Sequence, residues 1–155
     1  MRAFLSATIL GILTMLMTIS ASAADVQCEV LTIEASRLSQ GIDPALAELT
    51  SVLQKAPFAD FNTFKLVAKK KYSLTLSTPL ALTLPENVTG SLEFKGENKG
   101  RLDLTLKLAR ENATPAIIKG SATPGTPFIA TGLKSENGRW IFAVSCRRTN
   151  GVVQH

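Results

Sequence analysis

Residues 90–110 read GSLEFKGENKGRLDLTLKLAR, and this stretch decides the fold. Leu92 and Phe94 alternate with polar neighbours, and Leu102, Leu104, Leu106 and Leu108 alternate with Arg101, Asp103, Thr105 and Lys107. A period of two puts the apolar side chains on one face of a strand and the polar ones on the other. Between the two runs, Gly96-Glu97-Asn98-Lys99-Gly100 reads as a polar loop with a glycine at each end, where positive φ costs little. The stretch predicts an antiparallel hairpin with one wet face, on which Glu93 and Asp103 stand opposite each other. A lone hairpin is marginal in water, so its leucines need a cover.

Upstream lies an amphipathic candidate for that cover. Asp43 can cap a helix and Pro44 suits its first position. Leu46, Leu49, Val52, Leu53 and Ala56 then fall at helical spacing, and Pro57 ends the run. The expectation is one helix whose apolar stripe lies on the hairpin's leucines. Phe58, Phe61 and Phe64 follow as core residues.

Alternating or β-branched runs predict further strands at residues 26–33, 64–77, 80–84, 116–121, 128–133 and 139–147, the second bent at its lysines. Asn137-Gly138 is a strong hairpin signal before the last of them. Trp140, Phe142, Val144 and Cys146 share one face of that last strand. The fold class is therefore α+β: a mainly antiparallel sheet of about seven short strands, as a curved sheet, sandwich or open barrel, with one N-terminal helix packed on it.

Outside this domain, residues 1–23 carry Arg2, an apolar run and Ala21-Ser22-Ala23, the order of a secretory signal peptide. The domain is expected to span residues 24–148, with a flexible tail at 149–155. No transmembrane segment is expected once the leader is removed, and the destination is periplasmic or secreted. Export makes the two cysteines, Cys28 and Cys146, a disulfide pair.

The search for chemistry excludes more than it finds. The one histidine is the terminal His155, which argues against a Ser-His or Cys-His nucleophile and against histidine-based metal sites. Phosphate-loop, dinucleotide and metalloprotease motifs do not occur in the chain. No catalytic residue, metal ligand or cofactor is assigned, and no enzyme activity is expected. The chain holds 17 basic and 12 acidic residues, for a net charge of +5. Lys69-Lys70-Lys71 is its one cationic run and the one candidate contact for an anionic partner. Edge protection of a strand explains the same lysines, and without interleaved arginines or aromatics a nucleic acid is not expected.

The leading expectation is an exported, non-catalytic binding or structural module of the bacterial cell envelope, with an envelope protein or an anionic surface as partner. The alternative is a carrier of a small apolar ligand, held in a cavity between helix and sheet. A carboxylate-dependent hydrolase ranks last.

Overall fold

The structure is a computed structural model that describes residues 25–38 and 41–149. The expected leader at residues 1–23 lies outside the described residues, as does the expected tail beyond Thr149. Among the described residues nine strands occur: β1 (Val26–Ser36), β2 (Gly41–Ile42), β3 (Thr63–Leu74), β4 (Leu80–Thr83), β5 (Val88–Asn98), β6 (Arg101–Arg110), β7 (Ala116–Ala122), β8 (Phe128–Lys134) and β9 (Gly138–Arg148). They form two sheets, β2-β3-β1-β9-β8 and β4-β5-β6-β7. Apart from the short parallel contact of β2 with β3, every ladder is antiparallel. From β3 to β9 the spatial order follows the chain, and β1 closes the ring between β9 and β3. This is the order of an up-and-down barrel, flattened into two layers and parted between β3 and β4 and between β7 and β8; just past β3, Leu76 bridges Phe94 of β5.

The hairpin forms at β5–β6, and its leucines point inward as the alternation demands. Leu92, Leu102, Leu106 and Leu108 are fully buried. Their cover is not the helix but the inner face of the first sheet, with Val30, Leu74, Phe142, Val144 and the two cysteines. A sheet face of this area needs another sheet face, which a single short helix cannot supply. The polar connection is also shorter than its sequence suggests. Asn98 pairs with Arg101, so only Lys99 and Gly100 turn, with φ of 49° and 77°. Positive φ at both positions matches the twist of the flanking strands. Gly96 lies within β5, where the register shifts between Phe94 and Gly96. The tighter turn, corrected by this one-residue shift, sets Glu93 opposite Thr105 rather than Asp103, and Glu93 accepts a hydrogen bond from Lys95 at 2.9 Å.

Cys28 stands directly opposite Cys146 in the β1–β9 ladder, and the two form a disulfide across 118 positions of chain. Constraining so long a loop is worth roughly 4–5 kcal/mol in the chain-entropy picture.

The helical segment roofs the outer face of the first sheet. Pro44–Leu49 is a 3₁₀ helix and only Thr50–Leu53 (α1) is α-helical. Side chains three apart eclipse in a 3₁₀ helix, so Leu46 and Leu49 both face the sheet. Val52, expected in the stripe, is 38% exposed. Asp43 caps as expected, its Oδ1 accepting from Ala45 N–H at 3.0 Å. Its Oδ2 accepts from Leu66 N–H, and its own N–H donates to Phe64 O, which ties the segment to β3. Beneath it, Leu46, Leu49, Leu53 and Phe58 pack on Ile33, Ala35, Phe64, Ile141 and Ala143 as a second core. Phe61 packs at the margin of this core, edge-to-face with Phe64.

Asn137-Gly138 does precede β9, but the turn falls one residue earlier. Ser135 N–H donates to Gly138 O across Glu136-Asn137, and neither Asn137 nor Gly138 has positive φ. Gly138 is needed for space, because a Cβ there would lie 1.9 Å from the carbonyl oxygen of Ala35.

Candidate binding surface

The roof covers only part of the first sheet's outer face. Where it stops, β1 presents Gln27 and Glu29, β3 presents Lys69, Lys71 and Ser73, and β9 presents Ser145 and Arg147. The ladders order these residues. Ser73, Gln27 and Arg147 form one row across the three strands, and Lys71, Glu29 and Ser145 form the next. Residues opposite each other in a ladder share a face, and Cys28, between the two rows on β1, points the other way into the core. An open cavity of about 510 Å³ lies over the rows, lined by the six residues named and by Cys28 and Tyr72.

Within this set Glu29 is engaged, its Oε1 lying 3.2 Å from the Lys69 ammonium. By contrast, the side chains of Gln27, Lys71, Ser73, Ser145 and Arg147 make no hydrogen bond or ion pair among the described residues. The surface is thus a patch of open donors around one partly neutralised carboxylate.

The pleat divides the lysine run foreseen in the sequence. Lys69 and Lys71 stand on the outer face, while Lys70 is opposite Val30, whose side chain points into the core between the sheets. Lys70 is nonetheless exposed, because β3 is an edge. β2 pairs only with Thr63 and Phe64, and Asp43 caps Leu66; from there to the end of β3 at Leu74 this edge has no strand partner among the described residues. A charge at an inward position of an edge strand obstructs the addition of another strand. The bend expected at the lysines is a register shift just before them, where Val67 has no partner on β1.

Two polar fastenings join the sheets at opposite ends. At one, Arg148 on β9 grips Glu97 on β5 with two hydrogen bonds, Nε–Oε2 at 2.7 Å and Nη2–Oε1 at 2.6 Å. These bonds hold the Glu97 carboxyl below the usual carboxylate range and push the Arg148 guanidinium up. A second, smaller cavity of about 310 Å³ opens beside this pair, lined by Val26, Leu76, Phe94 and Leu102 among others. At the other end Glu86 Oε2 accepts from Arg110 Nη2 at 3.1 Å and from Trp140 Nε1 at 3.4 Å. Arg110 Nη2 also donates to Lys134 O.

Among the described residues no group of three or more His, Cys, Asp or Glu stands together as a metal site, and no helix is long and apolar enough to cross a membrane. Comparison of the chain with known protein families, with curated proteins and with solved structures gives no match.

Gln27, Glu29, Ser73, Ser145 and Arg147 were not singled out by sequence reading. Each is an ordinary polar residue of an alternating strand, and only the β3-β1-β9 pairing gathers them. A signal did exist. Setting Cys28 opposite Cys146 in antiparallel strands puts Gln27 beside Arg147 and Glu29 beside Ser145.

Proposed function

We propose that the chain is an exported, non-catalytic binding module of the bacterial cell envelope, and that the unroofed half of the first sheet's outer face is its binding surface. The observation that carries this reading is the open cavity over two rows of polar side chains, five of them unpartnered among the described residues. Polar side chains that converge in a cleft without satisfying one another are suited to an external ligand. With Lys69, Lys71 and Arg147 against Glu29 alone, the surface favours an anionic partner. Export is supported by the leader-like residues 1–23 and by the disulfide, which suits an oxidising compartment.

Sedimentation with isolated envelopes tests the reading. The disulfide-bonded chain is expected to pellet with them at low salt, and a Lys69→Ser, Lys71→Ser, Arg147→Ser variant to remain in solution. Equal pelleting of the two proteins would move the binding surface elsewhere. In the same cells, protein recovered from the periplasm is expected to begin near Ala24.

The carrier reading keeps one supporting observation in a different place. The space between the helical segment and the sheet is occupied by Leu46, Leu49, Leu53 and Phe58, all buried. The apolar walls suited to such a ligand are instead those of the smaller cavity, where Leu76 is 50% exposed above Val26, Phe94 and Leu102.

A further inference from the structure

We infer that the ligand of the unroofed face is an acidic glycan: a chain rich in hydroxyl groups that also carries carboxylates. The inference rests on the reading of this face as the binding site, and it names the chemistry that the face selects. Lys71 and Arg147 lie at opposite corners of the two rows, on β3 and β9 with β1 between them. With strands about 4.8 Å apart and a two-residue repeat of about 6.8 Å, their backbones are about 12 Å apart. From that separation each cation can engage a different acid group of an extended ligand with spaced acids.

The groups between the two cations are not those of a purely electrostatic surface. Gln27 offers an amide donor and acceptor, Ser73 and Ser145 offer hydroxyls, and Glu29 offers carboxylate lone pairs beyond the one facing Lys69. A carboxylate in the middle of the patch repels an anionic headgroup that lies over it, whereas a ligand with acids only toward the two ends and hydroxyls between them avoids that repulsion. The same carboxylate accepts hydrogen bonds from hydroxyl groups, and such charge-assisted bonds are the strong ones. Cations at the two ends with acceptors and hydroxyls between them match a ligand with acids at intervals and hydroxyls between. A volume of about 510 Å³ is in the range of small-ligand clefts. Its width across three strands suits a short run of sugar rings rather than one.

Calorimetric titration of the disulfide-bonded chain decides the matter, using a galacturonic acid trimer, the neutral glucose trimer maltotriose, and phosphatidylglycerol vesicles. The galacturonate trimer is expected to bind, and maltotriose to bind at least about tenfold more weakly. Lys71→Ser and Arg147→Ser should each weaken the acidic trimer by roughly tenfold. Lys107→Ser, on the outer face of the other sheet, should change nothing. Glu29→Ala gives the sharpest contrast. Removing this charge and releasing Lys69 must strengthen any purely electrostatic attraction, so Glu29→Ala should tighten adhesion to vesicles. For a glycan the same change deletes a hydroxyl acceptor, and affinity should fall.

Stronger binding of the trimer by Glu29→Ala would overturn the inference, as would equal affinity for the two trimers. Vesicle adhesion without trimer binding would overturn it too, and would leave the face as a site for an anionic membrane. If envelope sedimentation loses its dependence on Lys69, Lys71 and Arg147, the binding-surface reading itself fails and takes this inference with it.

Discussion

The roofed and bare halves of one sheet face are built on the same three strands and differ in almost everything else. In the roofed half Ile33, Ala35, Phe64, Ile141 and Ala143 are at most 3% exposed, beneath Leu46, Leu49 and Leu53. A few residues along the same strands, the positions of equal orientation are Gln27, Glu29, Lys71, Ser73, Ser145 and Arg147. The change falls at Leu31, half-buried at the margin of the roofed core. The same ladders run through both halves, and the backbone marks the boundary only by the register shift at Val67. What separates them is whether a side chain gains by leaving water, and the helical segment covers only the part of the face where it does.

The largest expected effect comes from exchanging the characters of the two halves. Ile141→Asp places an unpaired carboxylate under the roof, at a cost of several kcal/mol, comparable with the whole stability of a small domain. Ser145→Asp, four residues on and on the same face, stands opposite Glu29 and should cost no more than about 1 kcal/mol. Thermal melts of the two variants measure this. Similar melting would mean that the roof does not seal the face.

The next effect concerns the disulfide, which lies behind the bare half. Replacing both cysteines by Ser should lower stability by about 2–5 kcal/mol in denaturant melts. Unreduced protein should take up no alkylating reagent by mass spectrometry; labelling of both thiols would remove the bridge from the account.

The smallest effect sharpens the contrast between adjacent arginines. Arg147 points into the bare half, while Arg148 is bound by Glu97. The Glu97 carboxyl is held down chiefly by its hydrogen bonds to Arg148. A carboxyl with a depressed folded-state pKa contributes stability above its unfolded value, and this is lost as pH falls through the folded one. The difference in melting temperature between the wild type and Glu97→Gln should therefore be small near neutrality and vanish in strong acid. Both groups are solvent-exposed, so salt should reduce it as well. A difference that grows on acidification would contradict this.

These contrasts also explain what could be read from the sequence. The second sheet was legible because its hairpin has one wet face, and Leu102 to Leu108 announce that face by strict alternation. β1 was harder to read. Its VQCEVLTIEAS is apolar on both sides, because Val26, Cys28 and Val30 face the other sheet while Ile33 and Ala35 face the roof. Where burial spreads to the second face, between Val30 and Ile33, the period of two breaks, and nothing local then says what lies on either side. The helical stripe was recognised but assigned to the wrong face, since periodicity reports that a side is apolar and not what it meets. Of the binding surface, only the lysine run stood out, and one of its three members turned to the inner side.

The pairing of β1 with β9 has a consequence for the order of events during synthesis. Among the described strands β1 is the first made and β9 the last, and their cysteines are 118 positions apart. The hairpin from β5 to β6 can close as soon as its own residues are available. β1 meanwhile carries apolar side chains on both faces and lacks one of its two neighbours until β9 has been made. Contacts this distant in sequence make folding slow, since the entropy of closing the loop is lost before the contacts compensate for it. The ring is therefore completed at its first strand, which spends longer half-covered than any other strand of the sheet it anchors.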